Sequence, residues 1–308
     1  MTAGLKHFTA IALTILVLNL GGLRAEAKLN VVATTSDIGA LLEKIAGDQA
    51  SVEVIAKGTQ DPHFIEPKPS YMVKVAKADL LVSNGLSLEE GWLPNLIQGG
   101  RNPKVKPGTK GYLELGQHAE PLDIPQGAVS RAAGDVHPDG NPHFTLDPIR
   151  MGALANVVAE RLAELDPSNR AQFVGRAKTL QKELETKTKE WQERIAKTGV
   201  KQVVAYHNDL RYFLERFGLR AAAFLEPKPG IPPTAQHLLD TVSLIKRDKI
   251  SVILVENFFD TKIAERLASD VPSVKVRVVG IAVGSKVELK STADVIEQLV
   301  AAIEGKSI

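Results

Sequence analysis

Three histidines stand in settings typical of metal ligands. His63 and His143 each lie between a proline and a phenylalanine, and His207 directly follows the apolar run 203–206. A preceding proline restricts the backbone and holds an imidazole on a stiff loop. Imidazole nitrogen is preferred by zinc, copper, nickel and iron, whereas manganese and calcium favour oxygen. The three histidines therefore predict a transition-metal site, with zinc as the first candidate.

The fourth ligand of this site is open at the level of sequence. Asp260, just beyond the apolar run 252–255, is the first candidate, and Glu256 and a water molecule are the alternatives. Asp260 could instead cap a helix, and Glu256 could belong to a buried ion pair. Glu66 is expected to orient a ligand, because metal-bound histidines usually donate their second ring N–H to such a group.

Two more histidines, His118 and His137, lie in the loop 116–141, which is rich in Gly, Pro, Asp and Ala. They are either solvated loop residues or auxiliary groups that capture metal. The sequence pattern does not decide between these two roles.

The composition excludes several other kinds of function. The 308-residue chain has no cysteine, so disulfides, thiolate catalysis, iron–sulfur clusters and cysteine-linked lipid anchors are impossible. It has 38 basic and 36 acidic residues, and this near balance predicts no nucleic-acid partner. With 44% hydrophobic and 24% charged residues, the chain has the composition of a globular protein.

Residues 1–27 have the pattern of a secretory signal. Lys6 is followed by an apolar run, 8–20, and by a small-x-small cleavage sequence, 25–27. The apolar run of about 13 residues is shorter than the ~20 that a spanning helix needs, which argues against a retained anchor. We expect cleavage before Lys28 and a periplasmic location.

Alternating strand-like and helical patterns predict an α/β fold with two lobes, each containing a parallel sheet flanked by helices. The strand-like runs are residues 29–33, 52–56, 80–83, 203–206, 221–225, 252–255 and 274–279. The chain also repeats itself, since residues 31–44 resemble 203–216 and Glu-Pro-Lys-Pro occurs at both 66–69 and 226–229. Two similarly built halves would explain both repeats.

A helix-rich stretch lies between the halves. Asp147-Pro148 and Asp166-Pro167 each supply a cap and a first-turn proline, which predicts one helix to Leu165 and a long second helix to about Lys197. A coiled-coil segment is the alternative for the second helix. We predict an N-terminal lobe over 28–166, a rigid linking helix over 167–198 and a C-terminal lobe over 199–308.

Together these features resemble the periplasmic metal-binding proteins of zinc and manganese ABC importers. The resemblance rests on residues 61–67, residues 141–148, His207 and the long central helix, and it covers the mature chain. It implies a metal in the cleft between two lobes and delivery of that ion to a membrane permease driven by a separate ATPase. In such proteins, histidine at the position of His207 is typical of zinc members. Many members carry an aspartate ligand in a late loop, but residues 278–284 here contain no carboxylate.

The leading hypothesis is a monomeric periplasmic protein, not an enzyme, that binds zinc and delivers it to its permease. Manganese or iron is the alternative cargo. A secreted three-histidine zinc hydrolase is a second hypothesis, but the chain lacks His-Glu-x-x-His and Gly-x-Ser-x-Gly. An adhesion or scaffold protein is the third, and it predicts no stoichiometric metal.

Overall fold

The computed structural model describes residues 28–127, 137–228 and 230–307. The predicted signal sequence, residues 1–27, lies outside these ranges. Among the described residues, none of the helices combines the length and the apolar character that crossing a bilayer requires.

Two four-stranded parallel sheets form the frame of the structure. The first sheet has the order β2-β1-β3-β4, with β1 (Leu29–Thr35), β2 (Ala50–Ala56), β3 (Leu80–Ser83) and β4 (Tyr112–Glu114). The second has the order β6-β5-β7-β8, with β5 (Gln202–Ala205), β6 (Arg220–Phe224), β7 (Val252–Glu256) and β8 (Lys275–Val279). Because the two strand orders are equivalent, the two lobes have the same topology. The predicted α/β fold with two parallel sheets is therefore confirmed.

Helices cover the sheets and connect their strands. They are α1 (Ser36–Ala46), α2 (Pro69–Lys77), α3 (Leu93–Gly100), α4 (Pro148–Leu165), α5 (Arg170–Thr198), α6 (Arg211–Arg216), α7 (Ala235–Asp248), α8 (Lys262–Asp270) and α9 (Thr292–Ile303). The start of α4 follows from its Asp-Pro sequence, because the Asp147 carboxylate accepts hydrogen bonds from the backbone N–H groups of Ile149 and Arg150.

The long helix α5 ties the two lobes together. Its 29 residues span about 44 Å at 1.5 Å per residue. Phe173, Ala177 and Leu184 belong to the apolar core of the first lobe, and Trp191 and Ile195 belong to that of the second. Because one stripe of side chains is buried in both cores, the helix holds the lobes as a rigid connector. The exact limits of the lobes stay a prediction.

The parallel topology determines where the histidines lie. Val31 of β1 pairs in register with Val52 of β2 and Leu80 of β3, so the three strands run in the same direction. The carboxyl ends of such strands meet at one edge of the sheet, where ligands collect in open α/β folds. His63 follows β2, and His207 follows β5 at the equivalent edge of the second sheet.

Candidate metal centre

The three histidines singled out by sequence lie next to one another. The ring centroid of His63 is 5.3 Å from that of His143 and 6.1 Å from that of His207, and the last two are 6.0 Å apart. Each histidine is carried by a different loop: after β2, before α4 and after β5. His143 and His207 are buried, and His63 is partly buried. The loops of both lobes therefore present imidazoles to one small volume.

Asp209 completes a compact set of donors with two of these histidines. Its Oδ1 atom lies 2.9 Å from Nε2 of His143 and 3.3 Å from Nε2 of His207. The donor atoms of the three residues all lie within 4.8 Å of one another. Asp209 is only 1% exposed and lies in the short 3-10 turn Asn208–Leu210. Nothing in the sequence pattern singled it out; its position two residues after a strand-terminal histidine is the signal that could have done so.

His137 extends the cluster on the side of His63. The Nε2 atoms of these two residues are 3.2 Å apart. In a tetrahedral site with zinc–nitrogen bonds of about 2.05 Å, two ligand nitrogens are about 3.3 Å apart. The pair thus has the spacing of two imidazoles on one ion. His118, in contrast, is exposed in the turn Leu115–His118.

Carboxylates hold the second ring nitrogen of two histidines. Oδ1 of Asp61 lies 2.7 Å from Nδ1 of His63, and Oε2 of Glu226 lies 2.9 Å from Nδ1 of His207. Such a partner fixes the tautomer and leaves Nε2 free to bind a metal. Glu66, expected from sequence to act in this way, is exposed, and the orienting position beside His63 is taken by Asp61.

The charged groups of the cluster shift one another's pKa values. Burial opposes protonation of His207, but the charge of Asp209 and the hydrogen bond with Glu226 outweigh it and raise its pKa to about 9. Burial lowers the pKa of His143, and burial with the neighbouring imidazoles lowers the pKa of His137 to about 3. The nearby imidazoles keep the pKa of Asp209 low despite its burial. At neutral pH the metal-free cluster therefore contains an anionic Asp209 carboxylate, neutral imidazoles at His137 and His143, and a protonated His207 that must release a proton before its Nε2 can bind a metal.

The two carboxylates proposed from sequence as fourth ligands, Asp260 and Glu256, are not part of this donor set. The Asp260 side chain is 61% exposed, and its oxygens contact the backbone N–H and the ammonium group of Lys262 at 3.0 and 3.3 Å. This placement does not agree with a ligand role for Asp260. Glu256 is fully buried at the end of β7, and neither of its oxygens has a hydrogen-bond partner among the described residues. Burial, reinforced by the charge of Asp209, raises the pKa of Glu256 well above its ordinary value, which favours the neutral form of its carboxyl group.

A cavity of about 180 Å³ gives access to the cluster. His63, His207 and Asp209 line it together with Glu226. Phe64, also in its lining, is 71% exposed. The share of one water molecule in the liquid is about 30 Å³, so the cavity has room for an ion with part of its hydration shell.

Comparison with known proteins places these features in a family. Residues 31–305 match the family described as "Zinc-uptake complex component A periplasmic". The chain is 27% identical over 251 residues to the manganese ABC transporter substrate-binding lipoprotein scaA of Streptococcus gordonii, which covers 80% of this chain and 77% of the relative. It is 26% identical over 252 residues to the zinc-binding lipoprotein AdcA of Streptococcus pneumoniae, which covers 80% of this chain and 49% of the relative.

A solved structure supports the same assignment at the level of fold. The crystal structure of ZnuA matches with a TM-score of 0.74 and 24% identity, covering 90% of this chain and 99% of that chain. The names of the relatives include both zinc and manganese, so the family alone does not determine the metal. The chain belongs to the zinc-uptake component A family, whose members include metal-binding proteins of ABC transporters.

Proposed function

We propose that this protein captures a zinc ion in the periplasm and delivers it to the permease of an ABC importer. The observation that carries the proposal is the convergence of His63, His143 and His207 beside the Asp209 carboxylate. Manganese suits sites dominated by oxygen, whereas imidazole suits zinc. A set of three imidazoles and one carboxylate therefore favours zinc. Manganese or iron is the alternative cargo, and the names of several relatives support manganese.

In the proposed site, Nε2 of each of the three histidines and one oxygen of Asp209 bind the ion. Asp61 and Glu226 hold the outer nitrogens of His63 and His207, and so keep the Nε2 atoms aimed inward. These four ligands would match the tetrahedral coordination that zinc prefers. His137 lies beside His63 as an additional donor.

The division of the ligands between lobes offers a route to release. His63 belongs to the first lobe, whereas His207 and Asp209 belong to the second. A separation of the lobes would divide the donor set and weaken the hold on the ion. We infer that contact with the permease uses this property, because delivery requires that a tightly held ion be given up.

We infer no catalytic activity. The curated relatives compared above are named as a substrate-binding lipoprotein of an ABC transporter and as a zinc-binding lipoprotein, and neither name is that of an enzyme. A hydrolase would need a general base beside a metal-bound water, and Glu66, the carboxylate closest in sequence to His63 on its C-terminal side, is exposed. The zinc-loaded protein is expected to turn over none of a broad panel of esters and peptides; hydrolysis that is lost in Glu66→Gln would support the hydrolase hypothesis instead.

Competition between metals tests the identity of the cargo. The metal-free protein, given equimolar zinc and manganese, is expected to hold one zinc ion per chain, measured by elemental analysis after gel filtration. Retention of manganese under these conditions would establish the alternative cargo.

A further inference from the structure

We propose that Asn141 is a positioning residue that couples the loop of His143 to the loop of His207 and Asp209. This inference rests on the proposed metal site and adds a residue that binds no metal itself. The side-chain amide of Asn141 would fix the relative position of the two loops that carry these metal-binding groups.

Asn141 uses both halves of its side-chain amide. Oδ1 accepts a hydrogen bond from the backbone N–H of His143 at 2.9 Å. Nδ2 donates to the backbone carbonyl of Asn208 at 2.9 Å, and Asn208 stands between His207 and Asp209 in the chain. The residue is 8% exposed, so both bonds are largely shielded from water. One buried side chain thus bridges the two loops that carry three of the proposed ligands.

The backbone of Asn141 is fixed as well. Its N–H donates to the carbonyl of Leu122 at 2.8 Å, and its carbonyl accepts from the Tyr212 hydroxyl at 2.6 Å. The same hydroxyl accepts from the N–H of Leu122 at 2.9 Å. Tyr212 lies on α6 in the second lobe and is fully buried. The bridge therefore starts from a backbone that cannot shift freely.

The peptide group between Pro142 and His143 is held at both of its polar atoms. Its carbonyl accepts from Nδ2 of Asn84 at 2.9 Å, and its N–H donates to Asn141. Asn84 directly follows β3 of the first lobe. The backbone of His143 is consequently anchored to the first lobe and, through Asn141, linked to the second.

The other Pro-His sequence shows what the amide adds. Oδ1 of Asp61 accepts from the N–H of His63 at 2.9 Å, the same turn that Asn141 forms with His143. The Asp61 carboxylate also contacts the ring of its own histidine. A carboxylate at position 141 would support the turn equally well, but it has no N–H to donate to Asn208. The NH₂ group of Asn141 is therefore needed for the bridge and not for the turn.

The variant Asn141→Ser separates these two roles. The serine hydroxyl can still accept from the N–H of His143, as in other Ser turns, but it is too short to reach Asn208. We expect the Kd for zinc to rise about tenfold, at the lower end of the loss caused by removing groups that orient metal ligands. The change should lie mainly in a faster release of zinc, measured by chelator competition and by a stopped-flow chase.

Asn102 provides a matched control. It precedes Pro103 as Asn141 precedes Pro142. Oδ1 of Asn102 accepts from the N–H of Lys104 at 3.0 Å, and its Nδ2 donates to two backbone carbonyls at 2.9 and 2.7 Å. It lies near the start of β3, at the end of the sheet away from the histidines. Asn102→Ser removes bonds of the same kind, so we expect a lower Tm with an unchanged Kd for zinc.

The outcomes distinguish the inference from the proposed function. A tenfold higher Kd in Asn141→Ser alone supports the bridge. An unchanged Kd in that variant, or equal increases in both variants, overturns it. If Asn141→Ser does not fold, Asn141→Asp replaces it: the added negative charge by itself favours cation binding, so weaker binding supports the bridge and unchanged or tighter binding overturns it. Absence of zinc binding in the unmodified protein refutes the proposed function, and the inference with it.

Discussion

The Nε2 atoms of His63 and His137 lie 3.2 Å apart, although 74 residues separate them in the chain. Two imidazole nitrogens at this distance can share a proton or bind the same ion. Because the pKa of His137 is lowered to about 3, its ring is neutral at pH 7 and has a lone pair to offer. The loop that contains His137 therefore contributes a donor on the His63 side of the cluster.

Replacing His137 with alanine should speed the release of zinc. The variant loses a neutral donor beside His63, so we expect zinc to dissociate several-fold faster in a stopped-flow chelator chase. His118→Ala is the matched control, because His118 is exposed and should leave the rate unchanged. Equal rates in the two variants would show that His137 does not contact the ion.

Asp209, rather than Asp260, should determine the affinity for zinc. Asp209→Asn removes a buried charge that faces two imidazoles. We expect the Kd for zinc to rise by more than about tenfold, because loss of a group that only orients a metal ligand already weakens binding by about that factor. Asp260→Asn changes an exposed carboxylate that pairs with Lys262, so its Kd should equal that of the unmodified protein. Chelator competition measures both. A higher Kd in Asp260→Asn with no change in Asp209→Asn would restore the ligand assignment suggested by sequence.

The carboxylate on the outer nitrogen of His207 should strengthen metal binding. Glu226→Gln keeps the size of the side chain but removes its charge, and we expect zinc affinity to fall by about 10- to 100-fold. Glu66→Gln is the control, since the same Glu-Pro-Lys-Pro sequence there begins with an exposed glutamate. Isothermal titration of both variants makes the comparison. If zinc affinity fell in Glu66→Gln and not in Glu226→Gln, the assignment of Glu226 as the group that orients His207 would be contradicted.

Asp37 should make the contact between the lobes sensitive to pH. Its Oδ1 accepts from the backbone N–H of Val283 across the lobes at 3.0 Å, and burial raises its pKa from 3.8 to about 7. Between these pH values the folded protein keeps a proton that the unfolded chain releases. This stabilising contribution is thus present below about pH 4 and is lost as the pH rises through 7.

The variant Asp37→Asn isolates this effect, because asparagine can accept the same bond and does not ionise. We compare the free energy of unfolding of the variant with that of the unmodified protein. The advantage of the variant should be larger at pH 8 than at pH 4 by a few kcal/mol, on the order of 1.4 kcal/mol per unit of pKa shift. Denaturant unfolding of the metal-free proteins at both pH values gives the difference. A difference independent of pH would contradict the raised pKa.

Local sequence patterns were sufficient to predict most of the frame. Apolar runs bounded by turn residues marked seven of the strands, and the two Asp-Pro sequences marked the central helices α4 and α5. Strand β4 was not predicted because three residues are too few to show a period. Helix α9, which follows the Ser291 cap, was not among the predicted elements either. Most of its residues are buried, so its sequence shows no clear alternation between an apolar and a polar face.

The site was predictable only in part, for physical reasons. Proline before His63 and His143, and a strand end before His207, are short-range features that a sequence displays. The roles of Asp209 and His137 depend on their contacts with His143 and His63, which are carried by other loops far away in the chain.

The repeated glutamates illustrate the same limit. Glu66 follows His63 by three residues, whereas Glu226 follows His207 by 19. Although both glutamates begin the same tetrapeptide, it is Glu226 that contacts the ring of its histidine, and Glu66 is exposed.

Native mass spectrometry of the metal-free mature protein with added zinc tests the central claim most directly. We expect one zinc ion per chain in the unmodified protein, and loss of that ion in each of His63→Ala, His143→Ala and His207→Ala, with charge-state distributions that show all three variants folded. Stoichiometric zinc retained by any one of these folded variants, or no bound zinc in the unmodified protein, would contradict the proposal that the three imidazoles bind a single ion.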